Sequence, residues 1–269
     1  MVTAFEFNTH PDQNVWALIL GGSSGLGLAS AKKLAQKGLN ICIVHRTRRS
    51  KLGDFENELE TMRAFGVEVA EFNTDALSIE TIQKLIDFFK TKKGHLQLML
   101  HSIAKGNLKP IYSEDSSEAT LSGKDFMLTA EAMAVSLYDW ASAFANAKLF
   151  AQHGKIIAFT SEGSTKPLPN YAAVSAAKAA LEAIIRSLAF ELAPLKITAN
   201  CIQAGVTNTE SLRLIPGSDL LIEQAMTRNP NKRLTTVEDV ANAVYLLTKP
   251  EANWINGAVI PVDGGEHLR

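Results

Sequence analysis

The chain has 269 residues, 46% of them hydrophobic and 20% charged, and its 27 basic and 28 acidic side chains leave a formal charge of −1. That apolar fraction excludes an intrinsically disordered chain, and the near-zero charge gives no bulk attraction to nucleic acid. No apolar run approaches the ~20 residues that span a bilayer. The opening residues, MVTAFEFNTHPDQN, have neither the basic flank nor the apolar stretch of a signal peptide, so a soluble cytoplasmic protein is expected.

The first element is VWALIL (Val15–Leu20), a continuous apolar run that reads as a fully buried strand. Gly21, Gly22, Ser23, Ser24, Gly25, Leu26 and Gly27 follow at once, and a helical pattern then covers Leu26–Lys37. Glycines at such a junction let the backbone turn tightly and approach a pyrophosphate, whose charge sits on the helix N-terminus. A second buried strand, Ile41–His45, runs into Arg46, Thr47, Arg48 and Arg49. An acidic side chain at this point would accept hydrogen bonds from a ribose 2′-hydroxyl and repel a 2′-phosphate. Guanidinium groups suit the phosphate, so NADPH is favoured and NADH is the weaker possibility. A solvated basic turn is the plain alternative.

Helical periodicity over Leu52–Phe65, a strand at Val67–Phe72, a helix over Ile79–Lys92 and a strand at Leu96–His101 come next. A polar loop, residues 105–124, leads to a long helix over Phe126–Leu149. The strand Lys155–Thr160 precedes a second long helix, Asn170–Leu192, on which Tyr171 and Lys178 stand two turns apart and share a face. After the strand Ile197–Ile202 an insertion, residues 206–233, carries Leu212, Leu214, Ile215, Leu220, Leu221, Ile222 and Met226. Both a lid over an apolar substrate and a helical pair packed on the rim agree with that pattern. The helix Val237–Leu247 and the strand Ala258–Val262 complete the chain.

Seven continuously apolar strands separated by helices predict a Rossmann-type doubly wound parallel α/β sheet, covered on both faces. With no repeat, low-complexity tract or linker, residues 1–269 are expected to form one dinucleotide-binding and catalytic domain. Its ligands would bind outside the carboxyl ends of the strands. Cys42 and Cys201 lie in apolar strands, which favours buried free thiols over the one disulfide they could form. No metal-ligand spacing such as H-E-x-x-H and no Ser–His–Asp order is present.

The glycine spacing of residues 21–27 resembles that of the short-chain dehydrogenase/reductase family. The resemblance extends over nearly the whole chain through Asp75, His101-Ser102-Ile103-Ala104, Tyr171 with Lys178, Ala204-Gly205 and Val262-Asp263-Gly264-Gly265. It implies cofactor contacts from Gly21, Ser23, Ser24, Gly25, Leu26 and Gly27, from Arg46, and from Asp75 with Ala76. Ser102, Ile103, Lys178, Gly205, Val206, Thr207 and Thr209 complete that implied set, with a helix cap as the other role open to Thr209. The family's pattern would have Lys178 grip the nicotinamide ribose and lower the Tyr171 pKa, while Tyr171 donates to a developing oxyanion.

The separation of Tyr171 and Lys178, Tyr-x6-Lys in place of Tyr-x-x-x-Lys, resembles the bacterial enoyl-[acyl-carrier-protein] reductases. Asp125-Phe126 with Glu131, Ser136 and Leu137 matches their long interface helix. Two departures, the retained glycine loop and Ser161 in place of a second active-site tyrosine, resemble the NADPH-using type III form. Ser161 is then a second polar contact to substrate or a structural strand end, and Met133 replaces the family's helix asparagine. The implied activity is NADPH-dependent reduction of a 2-enoyl thioester, small or bound to a carrier protein. The alternatives are a carbonyl or 3-ketoacyl reductase and a non-catalytic dinucleotide-binding protein. The resemblance also implies a homotetramer built on the helices near 123–150 and 170–192. Arg213, Arg228, Lys232 and Arg233 could meet an acidic carrier protein, or simply be solvated.

Overall fold

Strand β1 (Val15–Leu20) buries both of its sides: Trp16, Leu18 and Leu20 enter one apolar layer and Ala17 and Ile19 the other. A strand enclosed in this way has no reason to alternate polar and apolar residues. The computed structural model describes Phe7, residues 14–215 and residues 217–269. The remainder of the opening segment read above for a targeting signal lies outside the described residues.

Among the described residues, β1, β2 (Asn40–His45), β3 (Val69–Asn73), β4 (His95–His101), β5 (Phe150–Thr160), β6 (Thr198–Ala204) and β7 (Val259–Val262) form one parallel sheet. Its order is β3-β2-β1-β4-β5-β6-β7, so the winding reverses between β1 and β4 and opens a crevice at their carboxyl ends. On one face, α1 (Gly25–Gln36), α2 (Leu52–Arg63) and α9 (Val237–Leu247) supply Leu34, Phe55, Leu59 and Val244. On the other, α3 (Ile79–Lys92), α5 (Ser136–Asn146) and α6 (Ala172–Glu191) supply Phe89, Trp140, Phe144 and Leu181. Trp16 meets Phe88 and Phe89 edge-on, with ring centroids 5.7 and 5.8 Å apart.

Several bounds differ from those expected by one or two residues, as where β3 starts at Val69 rather than Val67, and three differences have a visible structural cause. Strand β5 begins at Phe150 rather than Lys155, because its register against β4 slips between Leu96 and Leu98 and absorbs the polar residues Gln152 and His153. The helix expected over Phe126–Leu149 is broken into α4 (Gly123–Ala130), one π turn (Glu131–Val135) and α5. Helix α4 starts early because Ser122 and Asp125 form a reciprocal capping box, and α5 stops at Asn146 before Lys148 turns left-handed at φ +57°. Tyr171, expected on the second long helix, is instead the residue that caps it.

The insertion carries α7 (Glu210–Arg213) and α8 (Ser218–Arg228), with Leu212 buried and Leu214, Leu220 and Met226 exposed. Cys42 and Cys201 are free and buried. No helix among the described residues is long and apolar enough to cross a membrane.

Candidate active site

The glycine loop is laced into the ends of three strands. Gly21 N–H donates to Val44 O and Ser102 N–H to Leu20 O, both at 2.8 Å. Gly21 adopts φ +89°, and a Cβ there would stand 2.6 Å from Ser102 O. A Cβ on Gly27 would stand 2.4 Å from Gly21 O and 2.9 Å from Ser102 Oγ. The loop therefore lies flat on the first turn of α1, where no side chain of the capping residue Ser24 satisfies the leading amides. Unclaimed amides beside a bare backbone form a cradle that fits a pyrophosphate.

At the end of β2, His45 is buried and spoken for. Thr47 N–H donates to its Nδ1, so Nε2–H donates to Glu71 at 2.6 Å. Arg46 is more than half exposed and its Nη1 lies 3.1 Å from Asp75 Oδ2. Asp75 in turn accepts from Leu77 N–H at 3.0 Å; that bond and the Arg46 guanidinium hold its carboxyl below the usual carboxylate range. Ala76 O accepts from Trp140 Nε1 at 2.8 Å, which ties the loop after β3 to α5. Two of the implied cofactor residues, Arg46 and Asp75, thus already bind each other. The insertion reaches the same region: Thr209 lies against Gly25, and Glu210 pairs with Lys51 at 2.5 Å.

Asn170, at φ +60°, turns the chain into α6 and places Tyr171 at its N-cap. The phenol ring rests on Gly163, where a Cβ would come within 2.7 Å of Cε1. Ser161 Oγ accepts from Gly163 N–H at 3.1 Å, capping the short turn after β5, and the same side chain hydrogen-bonds Tyr171. Of the two roles foreseen for Ser161, the structural strand end is present, and its hydroxyl also neighbours the tyrosine. Burial pushes the Tyr171 phenol above its ordinary value, and the Ser161 bond opposes that rise.

The net direction for Tyr171 is upward, with burial as the leading cause, opposite to the lowering that the resemblance implies. Lys178 is buried and its Nζ donates to Phe159 O at 2.7 Å, so the ammonium is held by the β5 backbone. Burial lowers its pKa to about 8 against the opposing influence of Cys201 and Glu182. His101, at the end of β4, is buried and bonds Ser136 Oγ through Nε2 at 2.8 Å. The Ser136 hydroxyl is committed to Ala132 O, so Nε2 carries the imidazole proton. Burial and the nearby Lys178 charge bring the His101 pKa down to about 3, leaving it neutral. Met133 and Val174 pack with Ala132 and Ala177, and Gly106 presses on Val174.

Beyond β6, Gly205 N–H donates to Val262 O, Val206 N–H to Glu266 Oε2 and Thr207 Oγ1 to Gly205 O. Thr209 accepts from Leu212 N–H and caps α7, the other role open to it. On α8, Arg228 reaches Glu162 at 3.1 Å and Glu266 at 2.7 Å, tying the insertion to the Ser161 turn and to the C-terminal segment. The basic residues suggested for carrier recognition are all engaged within the chain: Arg213 with Asn208, Arg228 as above, Lys232 with Thr227 O and Arg233 with Asp239. Sequence reasoning passed over Gly163 and Thr160; a glycine two residues beyond Ser161 was the available signal for the first. Among the described residues, no group of three or more His, Cys, Asp or Glu side chains could hold a metal ion.

The family model described as enoyl-(acyl carrier protein) reductase matches residues 21–267. The chain is 30% identical over 263 residues to the Enterococcus faecalis enoyl-[acyl-carrier-protein] reductase [NADH] FabI, covering 96% of this chain and 98% of that protein. It is 27% identical over 264 residues to the Mycobacterium bovis 3-oxoacyl-[acyl-carrier-protein] reductase MabA, covering 98% and 97%. Among solved structures, the enoyl-[acyl-carrier-protein] reductase (NADH) of Aquifex aeolicus VF5 superposes with a TM-score of 0.81 at 26% identity, over 95% of this chain and 97% of that one.

Proposed function

Because the chain belongs to the short-chain dehydrogenase/reductase family of oxidoreductases, in the group described as enoyl-(acyl carrier protein) reductase, we propose that it reduces the double bond of a 2-enoyl thioester with NADPH. The observation that carries this reading is the place of the phenol relative to Lys178. Four residues before Lys178 stands Val174, buried and closed off by Gly106, so no hydroxyl occupies that turn. The phenol of Tyr171 comes from ~4.5 Å further back along the axis, at 1.5 Å per residue. When bound, the reduced nicotinamide supplies a hydride. In carbonyl reduction the proton donor must meet the oxygen on the carbon that receives it. In enoyl reduction the donor must meet an oxygen two bonds further away, which a more distant phenol suits better. Burial keeps that phenol protonated and able to donate.

Parallel assays with crotonyl and acetoacetyl thioesters test this reading. Rapid NADPH oxidation with the enoyl substrate and almost none with the ketoacyl one is expected. The reverse would favour 3-ketoacyl reduction, the activity in the mycobacterial relative's name.

The preference for NADPH rests on Arg46 and on the absence of an acid at the end of β2, whereas the enterococcal relative is named for NADH. A charge-assisted bond to the 2′-phosphate contributes about 1.5–3 kcal/mol, or roughly 10- to 100-fold in binding. Arg46→Ala should raise the KM for NADPH by that factor and leave the KM for NADH within about twofold. Equal small changes in both would remove Arg46 from the role. We further propose that the enzyme works in the cytoplasm as a homotetramer, using the apolar residues left exposed along α4, the π turn and α5: Met127, Leu128, Val135 and Tyr138.

A further inference from the structure

The reaction as proposed gives no part to Glu182, a carboxylate only 8% exposed and one turn beyond Lys178 on α6. A buried carboxylate in an apolar layer is unfavourable unless something holds it and something requires it. What holds it is the end of β5. Phe159 O accepts from Lys178 Nζ at 2.7 Å, and the next residue, Thr160, donates its hydroxyl to Glu182 Oε1 at 2.6 Å. The residue after that is Ser161, which reaches Tyr171. Successive residues of one strand thus engage successive turns of one helix, and the strand then runs directly into the tyrosine's partner.

We propose that Glu182 is a positioning residue. Through Thr160 it fixes the register of α6 on β5, and its charge is the buried counter-charge that keeps Lys178 an ammonium. The inference rests on the reading of Lys178 as the group that holds the cofactor's ribose.

The other titratable groups facing this pair leave the role to Glu182. His101 from β4 is neutral, and Cys201 from β6 is a buried thiol pushed up to about 12, uncharged at working pH. Tyr171 is held protonated by burial. Arg186, a further turn along α6, and Glu131 on the π turn are exposed and screened by solvent. Lys178 is charged below its pKa and loses its charge as the pH rises through it. Removing an opposing charge nearby lowers that pKa, so the loss must come at a lower pH.

Glu182→Gln keeps the shape and an acceptor for Thr160 but removes the charge. The high-pH limb of kcat/KM should move down by about one unit, giving about a fivefold loss near pH 8, approaching tenfold above about pH 9, and little change near pH 6. Glu182→Asp, which keeps the charge but draws it back, should move the limb less in the same direction, and it carries the test if the glutamine variant does not fold. NADPH binding followed by nicotinamide fluorescence across the same pH range should show the same displacement. If the wild-type protein binds NADPH but reduces no thioester or carbonyl, the functional reading fails while the binding series still decides the inference. A limb that stays in place, whether activity is unchanged or falls equally at every pH, overturns it.

Discussion

Tyr171→Phe is expected to lower kcat for the enoyl thioester by roughly 10²-fold or more, the usual scale for losing a positioned proton or oxyanion donor. The substitution removes one oxygen and leaves the ring, which still rests on Gly163 at the N-cap of α6. Ser161 loses one partner but keeps its bond from Gly163 N–H, so the turn after β5 should hold its shape. Lys178 remains on Phe159 O and no residue of the glycine loop is altered, so NADPH affinity should stay within about twofold. Titration of NADPH fluorescence alongside steady-state rates separates the two quantities. A phenylalanine variant that turns over at a comparable rate would exclude Tyr171 as the donor.

The second large effect concerns the cradle. Gly27→Ala places a methyl 2.4 Å from the carbonyl oxygen of Gly21, a backbone atom that cannot swing aside as a side chain can. The loop must lift from the first turn of α1, and Ser102, itself bonded to Leu20 O, must move with it. Overpacking of this kind costs about 1–3 kcal/mol. For a chain this size that lowers Tm by roughly 2–10 °C. The functional loss should be larger, because the amides that would face the pyrophosphate are the ones displaced: NADPH binding weaker by about 10²-fold or more, equivalent to two lost or distorted charge-assisted bonds. Thermal melts with and without NADPH measure both. A variant still stabilised by NADPH as strongly as the parent would show that this loop is not where the dinucleotide binds.

Much of the fold was legible because a doubly covered parallel sheet leaves its mark on every strand. Trp16 through Leu20 are apolar for reasons that hold at each position, and α3 and α9 carry their amphipathic period to the residues where they end. The start of β5 was hidden because its irregular pairing with β4 tolerates Gln152 and His153. The π turn was hidden for a different reason. One extra residue turns a helical pattern by ~100°, but Ala132, Met133 and Ala134 are apolar and buried in succession, so no change of period shows along them. At the site, the residue types announced their chemistry but not their partners. That Arg46 meets Asp75, that Lys178 meets a carbonyl of β5 and that Glu266 claims the Val206 amide are facts of chains brought together from 29 to 60 positions apart or across a strand and a helix. No local pattern encodes them.

The two thiols add a kinetic property to this architecture. Cys42 belongs to β2 and Cys201 to β6, on opposite wings of the sheet, and both are fully enclosed. Burial drives both thiols up, Cys201 to about 12, and only the thiolate is a competent nucleophile. Alkylation or oxidation at either position must therefore wait for its wing of the sheet to open, and the rate of labelling reports that opening rather than any reactivity of the folded state. The chain carries two internal clocks of unfolding, one beneath the dinucleotide half and one beneath Lys178, and a difference between their rates would show which half loosens first.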